Sequence, residues 1–336
     1  MDYTFIKGQF TEAQLEEAII ALFEQQEYTY VHGESIHRKY EDILLLDDLR
    51  AFINDRYAHE NLSDAEMGKI INQLTLIPSS PLYDGNRAAF WIVNEGFDMV
   101  RDDVTKVALH VDYIDFENPE KNIFKVVNQY SVQGERLRRP DLLIFINGIP
   151  VGICEFKSAI KEDTTVYDAW EQITIRYTRD IPKLMKYCFL SVLSDGANTK
   201  LGSIFTPYPF YYSWNKANDK DKVSNGISSL FTMIAGAFSK ERVIKVLRDF
   251  VFYPDDSKKS EAIVCRYPQF FAAEKMLENI KHHLRPDGDG KGGTYFGATG
   301  CGKTYTMLFL TRMIALRDPD TFNNPTIVII VDREDL

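Results

Sequence analysis

The sequence predicts an α/β fold in two parts, and three observations predict it. A helical period at the front gives way to short β-rich runs and a hairpin; a helix and a further strand follow that hairpin; and a glycine-rich loop stands between a short apolar run and a helix near the end. With 336 residues, 45% hydrophobic and 26% charged, the chain has material for roughly two domains of ordinary size.

The first helix is predicted over 11–28, where Thr11 is an N-cap residue type and Leu15, Ile19, Leu22 and Phe23 recur at helical spacing. Its polar face carries Glu12, Glu16 and Glu17. Residues 40–76 read as helical and acidic, ending before Pro78-Ser79-Ser80-Pro81. Short β-rich runs follow at 89–93, 123–130 and 142–146. The pair Asn147-Gly148 supplies the left-handed backbone of a tight turn, so 142–156 reads as a hairpin whose second strand covers 151–156. A helix is predicted over 166–181, a strand over 187–193 and a closing helix over 239–252. The hydrophilic joint 255–260 divides the chain into domains 1–254 and 255–336. The second domain reads as a helix (269–284), a glycine-rich stretch (288–293), a strand (294–296), a loop, a helix (303–316) and a strand (326–331).

Composition excludes several classes. The longest apolar runs fall far short of the roughly 20 residues that span a bilayer, and the N-terminus lacks a basic region followed by an apolar core, so a cytoplasmic protein with no membrane partner is expected. Cys154, Cys188, Cys265 and Cys301 are widely spaced and form no zinc pattern. A net charge of −10 argues against nucleic acid as a partner, but the acid is concentrated at the front. Residues 1–150 hold 14 Lys and Arg against 26 Asp and Glu, whereas the remainder holds 25 against 23. Basic residues gather between Arg136 and Lys186, a local surface suited to DNA.

The most specific motif is Gly297-Ala298-Thr299-Gly300-Cys301-Gly302-Lys303-Thr304, which fits the phosphate loop G-x-x-x-x-G-K-[ST]. Glycines let the backbone amides curl around phosphate, Lys303 brings a charge to the outer phosphates, and the Thr304 hydroxyl can ligate Mg²⁺. ATP is the expected ligand. Gln269, on the approach to this loop, carries an amide that can both donate to and accept from an adenine edge.

The second constellation lies on the hairpin. Asp141 follows Arg139-Pro140, and thirteen residues separate it from Glu155-Phe156-Lys157. Glu155 and Lys157 are two apart on a strand and share a face, and Asp141 on the partner strand can converge with them. Two carboxylates can hold Mg²⁺ against a phosphate while Lys157 steers a water or stabilises charge on phosphorus. The alternative is an inter-strand ion pair; it weakens because both strands are otherwise almost wholly apolar. On the following helix Gln172, Arg176, Arg179 and Lys183 fall at intervals of four, three and four, one polar and basic face suited to a DNA backbone or simply to solvent.

With these motifs the chain resembles the restriction (motor and nuclease) subunit of type I restriction-modification enzymes. The segment Arg139-Pro140-Asp141-Leu142-Leu143-Ile144-Phe145-Ile146-Asn147-Gly148-Ile149-Pro150 with Glu155-Phe156-Lys157 looks like that family's PD-(D/E)xK nuclease core, a mixed sheet flanked by helices. The resemblance implies catalytic roles for Asp141, Glu155 and Lys157, with Glu16 as an additional acid from the first helix. It also implies a Q-x-x-x-Y motif. Gln172 matches the glutamine, but Tyr177 falls one residue late and Arg176 takes its place; Ile181-Pro182 and Ser194-Asp195-Gly196 match further family features.

The tail resembles the start of a superfamily 2 helicase motor, a partial RecA-like domain, with Gln269 reading adenine, Gly302-Lys303-Thr304 as motif I and Val331-Asp332-Arg333 after it. The resemblance implies ATP and Mg²⁺ as cofactors, double-stranded DNA as substrate, and methyltransferase and specificity subunits as partners. It also implies a fragment without ATPase activity, because later motor motifs do not follow. A stand-alone repair nuclease-helicase and a non-catalytic DNA-binding or assembly module are the other readings. The intact Asp141, Glu155 and Lys157 argue against the second, and Asn147-Gly148-Ile149-Pro150 with Ser194-Asp195-Gly196 favours type I over repair.

Overall fold

The computed structural model describes residues 11–157, 165–224, 228–254, 259–317 and 319–330. Thr11 caps α1 (Glu12–Gln25): its hydroxyl accepts from the Gln14 amide while the Gln14 side chain accepts from the Thr11 amide, which satisfies two otherwise unpaired donors. Leu15, Ile19, Leu22 and Phe23 form its buried stripe. After β1 (Thr29–His32), the acidic region 40–76 resolves into two helices, α2 (Leu46–Arg56) and α3 (Asp64–Thr75). The run 89–93 is not a strand. It lies inside α4 (Leu82–Glu95), where Gly85, Asn86, Ala89, Phe90, Val93 and Asn94 are buried, a helical period that five residues are too few to reveal.

A ribbon of β2 (Phe97–Met99) and β3 (Leu109–Val111) leads to β4 (Phe124–Asn128), then to the short β5 (Val132–Gln133) and β6 (Leu137–Arg138). The hairpin is β7 (Leu142–Ile146) and β8 (Ile149–Phe156). The next helix begins as α5 (Val166–Glu171), widens into a π-helical turn (Gln172–Tyr177) and continues through α6 (Thr178–Asp180) and α7 (Pro182–Met185). Then come β9 (Leu190–Ser194), β10 (Thr199–Gly202), α8 (Ser228–Ala237), α9 (Lys240–Asp249), β11 (Val251–Phe252) and β12 (Ile263–Val264). The strand predicted from 187 starts only at Leu190, because the Tyr187 and Cys188 amides close the turn after α7 on Leu184 and Met185, and Phe189 then donates to Val151 of β8.

One mixed sheet of six strands, in the order β1-β4-β7-β8-β9-β10, carries the core. β1 pairs with β4, and β8 with β9, in parallel; the other neighbours are antiparallel. Every residue of β7 and β8 is buried. This accounts for their continuous apolar character, since strands covered on both faces show no alternation.

The register of the hairpin decides which side chains share a face. Asn147 (φ 50°) and Gly148 (φ 79°) form the turn, and a side chain at Gly148 would meet the Leu45 carbonyl oxygen at 2.2 Å. Counted outward from Ile146↔Ile149 and Phe145↔Pro150, an unbroken ladder would bring Asp141 opposite Cys154. A bulge intervenes: Ile144 pairs with Gly152, and Leu142 with Cys154, so Val151 is the extra residue. The ladder, extended by one residue, therefore sets Asp141 opposite Glu155, and a one-residue change of register exchanges the faces of a strand.

The second part comprises α10 (Tyr267–His283), α11 (Lys303–Arg312), a π-helical turn (Met313–Arg317) and α12 (Pro319–Phe322). The strands predicted at 294–296 and 326–331 do not form among the described residues. Phe296 (93% exposed) and Val328 (75% exposed) lie in unpaired backbone, and an isolated apolar run has no ladder to join; residue 331 lies outside the described residues. The predicted joint is crossed by structure on both sides. β11 pairs with β12, Phe270 packs on Trp214 (5.6 Å between rings) and Phe250 (4.8 Å), and Phe309 packs on Phe250 (5.2 Å). Residues 255–258 lie outside the described residues.

Candidate active site

Three strand ends of the sheet meet at one edge. Asp141 directly precedes β7, Glu155 is the penultimate residue of β8, and Asn128 closes β4. The Asp141 carboxylate accepts from the Phe156 amide at 2.7 Å, and Lys157, just past β8, donates its own amide to the Ser194 carbonyl at 2.9 Å. The bulge at Val151 brings the two acids to one face.

A closed ring of side chains fixes Glu155 and Lys157. The Lys157 ammonium donates to Glu155 Oε1 (2.9 Å) and to Gln172 Oε1 (3.0 Å), the Gln172 amide donates to the Tyr177 oxygen (2.7 Å), and the Tyr177 hydroxyl donates to Glu155 Oε2 (3.0 Å). Tyr177 is five residues beyond Gln172, a spacing that an α-helix would turn away. The π-helical turn over Gln172–Tyr177, with its i→i+5 hydrogen bonding, returns Tyr177 to the face of Gln172. The late tyrosine of the sequence thus reaches the site.

The π turn also alters the predicted basic face. Gln172 is turned onto Lys157, and Tyr177 is buried beneath; Arg176, Arg179 and Lys183 stay exposed. Arg179 is paired with Asp180 at 2.6 Å, which Arg138 also holds.

Electrostatically, the acids are short of compensating charge. Burial, then the neighbouring Asp141, pushes the Glu155 carboxyl up to about 8, against the opposing pull of Lys157 and Tyr177. Burial pushes Asp141 up to about 6, with Glu16 and Glu12 adding to the effect. Glu16 therefore looks into the same edge from α1, and its carboxylate accepts from Asn128 Nδ2 at 2.6 Å. The half-buried Asp141 and the buried Glu155, with one lysine on Glu155, form a donor set that a divalent cation would compensate, and Mg²⁺ characteristically takes one or two carboxylates and fills its shell with water and phosphate. Among the described residues no group of three or more His, Cys, Asp or Glu converges as a metal site, so the pair stands without a third carboxylate ligand. Sequence reasoning missed Asn128 and the bulge. An Asn in an apolar strand, and Pro150 with Gly152 in the next, were the available signals.

At the phosphate loop, α11 starts at Lys303 after Gly302 (φ 81°), and Gly300 also has positive φ (78°). Among the described residues, and apart from its two chain neighbours, nothing lies within 4 Å of where a Gly300 side chain would begin, whereas one on Gly302 would meet the Gln269 amide at 2.2 Å. The Lys303 ammonium donates to the carbonyls of Gly297 (2.8 Å) and Ala298 (3.1 Å), across the hollow of the loop. Thr299 and Thr304 are exposed and Cys301 half-buried. Gln269 braces the loop: its amide donates to the carbonyls of Cys301 (3.3 Å) and Gly302 (3.1 Å) and accepts from the Arg266 amide (2.8 Å).

Comparison with known proteins gives the family. Residues 9–210 match the type I restriction enzyme R protein N terminus. The chain belongs to this family. Its residues 268–336 match the SWI2/SNF2 ATPase family. An endonuclease subunit named for the type I restriction enzyme MjaIXP, from Methanocaldococcus jannaschii, is 30% identical over 96% of this chain and 33% of its own length. The type I restriction enzyme HindI endonuclease subunit of Haemophilus influenzae is 25% identical over 88% of this chain and 28% of its own. The chain thus spans about a third of the length of the curated relatives it matches. Glu16, Asp141, Glu155, Lys157, Gln172 and Tyr177 all fall within the R-protein match; Gln269 and the phosphate loop fall within the ATPase match. The segment Val331-Asp332-Arg333 lies outside the described residues. No helix among the described residues is long and apolar enough to cross a membrane.

Proposed function

We propose that this chain carries the DNA-cutting domain of a type I restriction endonuclease, a PD-(D/E)xK nuclease that hydrolyses phosphodiesters of double-stranded DNA, joined to the opening of an ATP-driven motor. The observation that carries this reading is the Asp141–Glu155 pair, set face to face by the bulge with Lys157 locked beside it. Asp141 and Glu155 would hold Mg²⁺, which when bound supplies positive charge at the scissile phosphate and acidifies a bound water. Lys157, held by Glu155 and Gln172, orients the attacking water or stabilises charge on phosphorus. Tyr177 and Gln172 keep Glu155 and Lys157 in register, and Glu16 with Asn128 closes the site from α1. Arg176, Arg179 and Lys183 present positive charge to the DNA backbone.

In the motor part, Gly297, Gly300, Gly302, Thr299 and Cys301 line the loop that would cradle ATP phosphates. Lys303 would exchange its two carbonyl partners for phosphate oxygens, and Thr304 would face the associated Mg²⁺. Gln269, set against adenine by the family resemblance, is tied to the same loop. In the longer protein this motor would drive DNA translocation, and methyltransferase and specificity subunits would complete the complex. The test is conversion of supercoiled plasmid by the chain. Nicked or linear product that requires Mg²⁺ and disappears with a chelator supports the reading, and the absence of product under any divalent metal overturns it for this chain.

A further inference from the structure

Beyond the carboxylates, one buried cation has no counter-ion among the described residues. Lys186, at the end of α7, is only 4% exposed. Its ammonium donates to the carbonyls of Thr75 (3.2 Å) and Ile77 (2.6 Å), where α3 ends, and stands over the Tyr187 ring at 4.8 Å. An ammonium has three donors, and two are spent on neutral carbonyls. Around it opens a cleft of about 420 Å³ whose lining includes Lys183, Ser79, Pro78, Glu41, Asp42 and Leu44. Among the described residues neither acid forms an ion pair with Lys186. Burial first, and then the neighbouring Lys183, bring its ammonium down to about 8. Among the described residues the Lys183 side chain makes no hydrogen bond or ion pair. The turn that carries Lys186 is rigid, because Asn86 Nδ2 donates to the carbonyls of Met185, Lys186 and Cys188 and Tyr187 donates to the Leu74 carbonyl. A charge desolvated in this way is costly unless it is paired, and two adjacent lysines at a preformed cleft fit an anion.

We propose that Lys183 and Lys186 form a phosphate-binding site that takes a backbone phosphate of the DNA, away from the phosphate that is cut. The inference rests on the DNA-cutting reading for the source of the phosphate. The geometry favours DNA because the segment between Gln172 and Lys186 runs from the carboxylate edge past the exposed Arg176 and Arg179 to this cleft.

The experiment labels lysines of the intact chain with a trace acylating reagent and reads each by mass spectrometry, in buffer, with a short duplex, or with inorganic phosphate. Salt dependence of duplex binding is measured alongside without divalent metal. A Lys186 labelling rate that drops severalfold with duplex supports the site with DNA as its source. In that case Lys183→Gln, on the exposed helix face, lowers the slope of log affinity against log salt by about one, the value of one phosphate contact. Protection by inorganic phosphate alone, with no duplex bound, keeps the anion site but removes the DNA source and the DNA-cutting reading with it. Duplex that binds with Lys186 labelling and the Lys183→Gln slope both unchanged overturns the proposal and leaves that reading standing.

Discussion

The Tyr177 hydroxyl donates to Glu155 Oε2 at 3.0 Å although Tyr177 stands one residue too far along its helix for an α-helical approach. The π-helical turn absorbs the extra residue. Two variants separate the hydrogen bond from the turn. Tyr177→Phe removes a donor to a buried carboxylate, an interaction worth about 1.5–3 kcal/mol, so Mg²⁺-dependent cleavage should fall about tenfold or more and its pH dependence should move to higher pH. Deletion of the exposed Ile175 should convert the turn to regular α-helix and still leave Tyr177 facing Gln172. Retained plasmid cleavage in the deletion, with loss in Tyr177→Phe, is the expected pattern. Equal loss in both would mean that the π turn itself is required.

The raised carboxyls fix a direction for pH effects. Asp141 at about 6 and Glu155 at about 8 both lie above the unfolded range near 4, so the folded state holds protons that the unfolded chain releases. Their contribution to stability is present in full below that range and is lost as pH rises through about 6 and then about 8. Without divalent metal, the urea midpoint should fall between pH 5 and pH 8, and Glu155→Gln should flatten the decline. Mg²⁺ must displace those protons, so calorimetry should find it bound at least about tenfold more tightly at pH 8 than at pH 6, with proton release. Affinity independent of pH would place the metal elsewhere.

The bulge makes a structural prediction. A side chain at Gly152 would lie 3.1 Å from Ile144 Cδ1 and 3.3 Å from its Cβ, inside a strand that is buried throughout. Gly152→Ala should destabilise the protein by about 1–3 kcal/mol in urea unfolding. Deleting Val151 should restore the unbroken ladder, move Glu155 off the face of Asp141 and abolish cleavage even in chains that fold.

How far these features can be read from residues alone differs from one to the next. Thr11 and the stripe Leu15, Ile19, Leu22, Phe23 specify α1 locally, and Asn147-Gly148 specifies its turn, so both are legible. Plain strand alternation predicts the convergence of Asp141 with Glu155, but incompletely, because the simple hairpin register would separate them and only the bulge at Val151 joins them. Residues 89–93 read as a strand because a short apolar run looks alike in a buried strand and a buried helix. The role of Tyr177 is only partly legible: its one-residue lag after Gln172 is visible in the sequence, but that a π turn absorbs the lag depends on tertiary contact with Glu155. Apolarity predicts strands at 294–296 and 326–331, yet a strand exists only with a partner.

A charge network centred on the buried Asp249 joins the two parts of the chain. Arg317 grips Asp249 (2.9 Å) and both oxygens of Glu95 (2.7 and 3.2 Å), and Arg312 donates to the Val251 carbonyl (3.1 Å). Burial raises the Asp249 carboxyl despite Arg317, so removing the arginine strands an acid in the interior. Arg317→Ala should cost about 3 kcal/mol at neutral pH, and less as pH falls, because burial favours the neutral form of Asp249. Arg317→Ala with Asp249→Asn should be more stable than Arg317→Ala alone; if it is less stable, the pair is not the source of the loss.

The central proposal is that Asp141, Glu155 and Lys157 act as one metal-dependent cutting site. The direct measurement is the rate of plasmid cleavage in Mg²⁺ by Asp141→Ala, Glu155→Gln and Lys157→Ala beside the unaltered chain, with urea unfolding of each in parallel. Three variants that unfold cooperatively and cut at background rates are predicted. Any one of them cutting at the unaltered rate would contradict the assignment.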